Sequence, residues 1–420
     1  MNEQLARIGI VGIGYVGLPL AVSFAEEGID VVCVDSDAAK VEALAAGRSY
    51  IEDIPDATLA PLLERLHPST DHAGLGSCAA VIICVPTPLT NSREPDLTYL
   101  LEAGAEVSRV LRRDQLVVLE STTYPGTTRE RLAPLLEESG LTAGTDFHLA
   151  FSPERIDPGR TDFSVRTTPK VVGGVNEASS QRAAELYSRI CDEVVVVSTP
   201  EAAELAKLLE NIFRSVNIAL VNEMSQLCDR LGIDIWEVVD AAATKPFGFM
   251  RFDPGPGMGG HCLPVDPFYL AFKAREADFY PEFIELAGKV NQTQPAFCVT
   301  RIERALNDVG KAVKGAKILI LGASYKAGIG DTRESPALKI IRMLRERGAD
   351  VSYHDPHVPQ LAGLELESVD LDAAIAAADL AAVVTAHPEL DYPALVAAAA
   401  VFVDFRGVTR EVVADNLIRL

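Results

Sequence analysis

Residues 12–17 of this chain read GIGYVG, a GxGxxG set between the apolar run 7–11 and a helical stretch over 18–27. Gly12 and Gly14 let the backbone turn tightly and approach a pyrophosphate; Gly17 packs helix on strand, with the helix N-terminus facing the phosphates. A second apolar run, 31–34, ends in Asp35, about 20 residues on, where an acidic side chain takes the two hydroxyls of a ribose. A lone GxGxxG is weak, but strand, turn, helix and acid in this order commit the start of the chain to a dinucleotide-binding βαβ unit. Asp35 repels a 2′-phosphate, so the expected cofactor is NAD rather than NADP. Lys40 is either a second contact on the adenosine side or a solvated helix lysine. The apolar run 8–25 is too interrupted, by four glycines and Pro19, to be read as a signal peptide.

Further short apolar runs at 79–85, 115–119, 147–151 and 194–197 alternate with helical stretches, the rhythm of a parallel, doubly wound sheet. The pattern restarts at Lys317: KILILGASYKAG reads as strand and loop, 335–347 as helix, and 350–353, 381–385 and 401–403 as strands. This second unit lacks GxGxxG, and its first loop offers Lys326 and Arg333, a point charge and a fork suited to an anionic ligand other than a dinucleotide. Between the two, Thr199 and Pro200 form a helix N-cap and first position, Glu201 and Glu204 suit the helix dipole, and helical periodicity runs to Gly232. Such a helix is roughly 45–50 Å long. Its apolar residues on more than one face fit either a second subunit or a spine between domains. The expected fold is α/β: two Rossmann-like parallel-sheet domains, 1–198 and 311–420, joined by a central helical domain, 199–310, with the long helix.

A formal charge of −22 makes nucleic acid or an anionic membrane an unsuitable partner, and no segment is long and apolar enough to span a bilayer. Seven scattered cysteines (33, 78, 84, 191, 228, 262, 298) with no CxxC argue for reduced thiols in a cytoplasm, and against a disulfide frame or a zinc site. A lone cysteine is ordinarily a small buried hydrophobe. Cys262 stands apart, because it sits in FDPGPGMGGHCLPVDPFYL (252–270), behind Gly255, Gly257, Gly259 and Gly260 and four residues ahead of Asp266. Glycines there let a ligand come close to the thiol.

GIGYVGLPLA at 12–21, STTYPGTT at 121–128, FSPERIDPG at 151–159, AKLLEN at 206–211, PGPGMGGHCLPVDP at 254–267 and GDTRESPA at 330–337 together resemble the nucleotide-sugar 6-dehydrogenases. These are the UDP-glucose, UDP-N-acetylglucosamine and UDP-N-acetylmannosamine enzymes, and the resemblance covers essentially the whole chain in order. It implies an NAD-dependent, two-step oxidation of a sugar C6 alcohol to the carboxylate, with two NADH formed per substrate; the expected homodimer rests on the length and apolar faces of the 200–232 helix. It places Cys262 as nucleophile, Lys207 and Asn211 beside the reacting oxygen, and Thr122, Glu154 and Asp266 as acid, base and water-handling groups. Tyr15, Val16, Pro86, Thr87, Thr122 and Arg333 fall on the cofactor side. Arg155, Gly259, His261 and Lys326 fall on the UDP-sugar side, with Arg251 where a neighbouring subunit contributes.

The chemistry asks for the same residue types. Hydride leaves an aldehyde readily only from a tetrahedral carbon bearing oxygen, which a thiolate makes by addition; the resulting thioester must then be opened by water. Lys207 and Asn211, four apart on a helix, share a face and suit an oxyanion, although a lone helix lysine is ordinarily a solvated one. Glu154 follows a strand end, as suits a carboxylate that activates water; Thr122 in its turn is otherwise a capping residue. His261 before the cysteine, within 245–270, resembles the UDP-N-acetylglucosamine enzymes, so that substrate is expected first, ahead of its epimers and UDP-glucose. A one-step dehydrogenase of the 3-hydroxyacid type is the alternative from another class. It needs neither Cys262 nor Lys326 and Arg333.

Overall fold

The computed structural model describes residues 6–51, 54–90, 94–155, 163–260 and 266–420. They fall into two compact units, Met1–Glu210 with Phe268–Phe279, and Asn211–Pro267 with Tyr280–Leu420.

The first unit is built on eight strands: β1 (Arg7–Val11), β2 (Asp30–Val34), β3 (Leu66–Ser69), β4 (Ala80–Ile83), β5 (Leu116–Leu119), β6 (His148–Phe151), β7 (Lys170–Gly174) and β8 (Val194–Val197). Their order is β3-β2-β1-β4-β5-β6-β7-β8, and every neighbouring pair is parallel except β6 and β7. Alternate residues feed two apolar layers: Ile82 and Val118 pack with Ile8 and Ile10 on one face, Val81, Ile83, Val117 and Leu119 on the other. A sheet buried on both faces explains why its central strands read as continuous apolar runs. The order reverses between β1 and β4, so the crevice at their carboxyl ends is where a doubly wound sheet takes its ligand.

The second unit carries β9 (Lys317–Leu321), β10 (Asp350–His354), the short antiparallel ribbon β11 (Gln360–Leu361) and β12 (Leu366–Glu367), then β13 (Leu380–Val383), β14 (Phe402–Asp404) and β15 (Leu417–Arg419). Its sheet runs β10-β9-β13-β14-β15, all parallel. The two sheets repeat one device at the switch point. Gly12 donates from its backbone to Val34 O at 2.7 Å, and Gly322, at φ +85°, donates to His354 O at 2.9 Å. The acid after the second strand differs in use. Asp355 is buried, with its Oδ2 accepting from Ala323 N, Ser324 N and His387 Nε2 at 2.7, 3.0 and 3.0 Å. Against the cost of burial, these donors hold its carboxyl down at about 2. An acid committed in this way supports the loop instead of reaching a ribose, in keeping with a second unit that lacks GxGxxG.

The long helix is Pro200–Leu231, 32 residues, and Thr199 Oγ1 caps it by accepting from Ala202 N at 3.2 Å. Glu201 lies in its first turn and pairs with Arg129 at 2.8 Å. Glu204 does something else: fully buried, it accepts from Gly126 N at 2.6 Å, Thr128 N at 2.9 Å and Thr128 Oγ1 at 2.7 Å, fastening the 126–128 turn to the helix. Strands β3, β7 and β15 escape the sequence pattern because β3 is an edge strand containing Pro68, β7 ends in two glycines and β15 is three residues long.

Candidate active site

In the first unit, Gly17 opens the helix Gly17–Glu26 and Gly12 turns at φ +89°. A Cβ on Gly12 would lie 2.7 Å from Cys84 O; one on Gly17 would lie inside contact with Gly12 O; one on Gly14 would meet nothing within 4 Å. Two glycines therefore serve the fold, and the third leaves a bare stretch of backbone for a phosphate to approach. Asp35 is held with Oδ2 accepting from Ile13 N at 3.0 Å and Oδ1 from Asp37 N at 2.9 Å, and Lys40 Nζ stands 3.5 Å from Oδ2. Tyr50 OH donates to Ile13 O at 2.7 Å and braces the same turn. Tyr15 and Pro86 are exposed and Val16 half-buried, while Thr87, buried, donates from Oγ1 to Thr122 O at 2.6 Å. These groups fit a dinucleotide whose ribose meets Asp35.

Beyond the ends of β5 and β6, the same unit collects charge. Lys207, on the long helix and 9 % exposed, donates from Nζ to the backbone carbonyl of Glu154. Arg155 is braced by Glu210 at 2.8 Å and donates to Pro169 O at 2.6 Å. Three residues that sequence reasoning missed lie beside them: Glu120, Lys170 and Tyr187, all buried. Lys170 Nζ pairs with Glu120 Oε1 and stands 3.7 Å from Glu154 Oε2, while Tyr187 OH donates to Glu120 Oε2. Burial disfavours the ammonium, and the two carboxylates more than offset that, so Lys170 is pushed up and stays charged.

In the second unit, Asn211 Nδ2 donates to Asp266 Oδ2 and Asn211 Oδ1 accepts from Arg214. Asn211 and Asp266 are 0 % and 1 % exposed, so this pair is part of the interior rather than a surface contact. The glycine-rich loop is seated on the loop after β9. Gly260, at φ +87°, donates to Arg333 O at 3.0 Å, and a Cβ on Gly259 would lie 2.7 Å from Tyr325 Cβ and 3.0 Å from Glu334 O. The run leading to the cysteine thus packs against the loop that carries Lys326 and Arg333, so those glycines are required by close packing. Arg333 is 52 % exposed and forked onto Asp331 at 2.6 Å; Arg251 is held by Asp240 and Asp253, both at 2.8 Å. His261 and Cys262 lie outside the described residues.

A doubly wound sheet with a glycine cradle and an acid at the second strand defines a dinucleotide-binding unit suited to NAD. Three sequence profiles of one family match in order: the NAD binding domain at 6–191, the central domain at 201–293 and the UDP binding domain at 319–411. The chain belongs to the UDP-glucose/GDP-mannose dehydrogenase family, and it is an NAD-dependent UDP-sugar dehydrogenase. It is 38 % identical, over 91 % of its length and 90 % of the relative's, to UDP-N-acetyl-D-mannosamine dehydrogenase of Pyrococcus horikoshii. It is 37 % identical to UDP-N-acetyl-D-glucosamine 6-dehydrogenase of Pseudomonas aeruginosa, over 84 % of this chain and 83 % of that one. A UDP-glucose dehydrogenase structure from Pyrobaculum islandicum superposes with a TM-score of 0.89 at 30 % identity, covering 100 % of this chain and 98 % of that one. Among the described residues no helix is long and apolar enough to cross a membrane.

Proposed function

We propose that the enzyme oxidises C6 of a UDP-2-acetamidohexose, UDP-N-acetylglucosamine first, to the uronic acid through a Cys262 thiohemiacetal and thioester. The observation that carries this reading is the bond of Lys207 to the Glu154 carbonyl and of buried Asn211 to Asp266, in a chain whose sequence sets Cys262 in GGHC. When bound, NAD accepts one hydride in each of two oxidations. In the first, the C6 hydroxyl gives its proton to a water held by Asp266 as C6 loses a hydride, leaving the aldehyde. The Cys262 thiolate adds to that carbon, and Lys207 and Asn211 stabilise the resulting oxyanion. Loss of the second hydride restores the carbonyl as a thioester. A water that gives its proton to Glu154 opens the thioester, releasing the carboxylate and the thiol.

The acetamido group is supported by His261 and by relatives whose names include the N-acetylglucosamine and N-acetylmannosamine sugars. The C2 epimer is the second reading, favoured by the 38 % identity to the Pyrococcus horikoshii enzyme. NADH production across a panel of UDP-sugars tests both. The highest kcat/KM is expected with UDP-N-acetylglucosamine, at two NADH per product. A higher value with UDP-N-acetylmannosamine selects the second reading, and one with UDP-glucose removes the acetamido assignment. A ratio of one NADH per product favours the one-step class.

The working form is a homodimer built on the long helix. Leu205, Leu209, Phe213, Leu220, Met224, Leu227 and Leu231 are 38–63 % exposed. At 3.6 residues per turn, they fall within about 100° of arc. A stripe of that length on a single chain is an apolar surface awaiting a partner helix. Light scattering is expected to find two chains per particle, and Leu220→Glu with Leu227→Glu to give monomers; a fully active wild-type monomer at assay concentration contradicts this. Scattered cysteines with no CxxC and a nucleotide-sugar substrate support a reaction in the cytoplasm.

A further inference from the structure

Lys170 is a buried ammonium that no step above uses. It opens β7, the strand that runs antiparallel to β6, so it lies at the end of the sheet where β5 and β6 release Glu120 and Glu154. The register pairs Ala150 with Gly174 and Phe151 with Gly173; continued past the end of β6, it sets Lys170 directly across from Glu154. The side chains agree. Lys170 Nζ is 3.7 Å from Glu154 Oε2, is paired on another side with Glu120 Oε1, and lies 5.0 Å from the centre of the Tyr187 ring. Tyr187 OH holds the other oxygen of Glu120, so the ammonium is fixed from behind. Side-chain exposures of 0 % for Glu120, 7 % for Lys170 and 15 % for Glu154 order these groups from the interior outward. A purely structural ion pair would be complete with Glu120. The second, outer carboxylate is what gives the ammonium a bearing on the reaction.

We propose that Lys170 is the positioning residue for Glu154: its ammonium holds one carboxylate oxygen while Lys207 holds the Glu154 carbonyl, so the carboxylate meets the thioester-opening water in one orientation. The inference rests on the role given above to Glu154. Glu120 and Tyr187 serve as the anchor for the ammonium.

The test uses the full-length enzyme carrying Lys170→Met and Glu120→Gln together, which removes both charges at similar volume and leaves no unpaired ion in the interior. It is compared with Glu154→Gln, Lys170→Arg and Glu120→Gln. Steady-state kinetics, thermal unfolding and mass spectrometry of enzyme quenched during turnover are read on each. The double variant is expected to lose about 100-fold in kcat, the scale of a misplaced catalytic group, with KM for both substrates falling rather than rising, because the step that slows follows binding and both hydride transfers. It should also accumulate enzyme-bound sugar, as is expected of Glu154→Gln. Lys170→Arg should recover part of kcat, and Glu120→Gln alone, which keeps the ammonium but loosens its anchor, should fall between wild type and the double variant. Wild-type kcat in a folded double variant, or slowing without adduct, overturns the proposal. If Glu154→Gln slows turnover and traps adduct while the double variant does neither, the link to Lys170 fails alone; if Glu154→Gln does neither, the role of Glu154 fails. Should the double variant not fold, Lys170→Gln, whose amide can still bond Glu120, is read by the same criteria.

Discussion

Replacing Cys262 with alanine is expected to stop uronic acid formation, by a factor of about 10⁴ or more, the scale seen when a covalent nucleophile is removed. Without the thiol, no thiohemiacetal forms, and an unhydrated aldehyde is a poor hydride donor. Cys262→Ser should be slow in a different way: a hydroxyl is far less acidic than a thiol, and an oxygen ester formed at this position leaves less readily, so sugar accumulates covalently on the enzyme. NAD affinity should change little in either variant, because the glycines and Asp35 that form the dinucleotide cradle are untouched. Mass spectrometry of the serine variant incubated with substrate and NAD, beside the NADH-to-product ratio of the wild type, reads both consequences. Full acid production by the alanine variant removes Cys262 from the mechanism.

What could be read from the sequence was local. The turn at Gly12–Gly17, its flanking strand and helix, and Asp35 lie within some 30 consecutive residues, and each obeys a short-range rule of strand, turn or helix packing. The N-cap at Thr199 and the continuous helix behind it were legible for the same reason, whereas Glu204 looked like a dipole residue until the fold placed the 126–128 turn against it. The charge cluster around Glu154 was not legible. Lys170 and Glu120 are 50 residues apart and meet only because β7 reverses direction, which no local pattern encodes. Asn211 and Asp266 are 55 apart; both were singled out, but from motif resemblance, and their mutual hydrogen bond is a product of the tertiary fold. Lys207 looked like an ordinary helix lysine by itself, and only its burial and its bond to Glu154 O distinguish it.

Gly17→Ala and Gly14→Ala are expected to separate the fold from the ligand. At Gly17 the added methyl would overlap Gly12 O, with Gly12 C at 3.0 Å and Ile10 Cγ2 at 3.1 Å. Gly12 cannot yield, because its N–H is committed to Val34 O at 2.7 Å and the Cys84 carbonyl stands behind it. Either the turn or the helix must shift, at a cost of about 3 kcal/mol, the upper range for overpacking, and NAD binding goes with it. At Gly14 nothing lies within 4 Å of a Cβ, so the alanine variant should fold with a wild-type melting temperature. Its methyl nevertheless stands over the backbone that a pyrophosphate approaches, and the loss of that approach is expected to weaken NAD by about 10- to 100-fold, or about 1.4–2.8 kcal/mol. Calorimetric unfolding with and without NAD distinguishes the two: Gly17→Ala lowers the melting temperature of the free protein, and Gly14→Ala lowers only the increment that NAD adds. Wild-type NAD affinity in Gly14→Ala would place the pyrophosphate somewhere other than this turn.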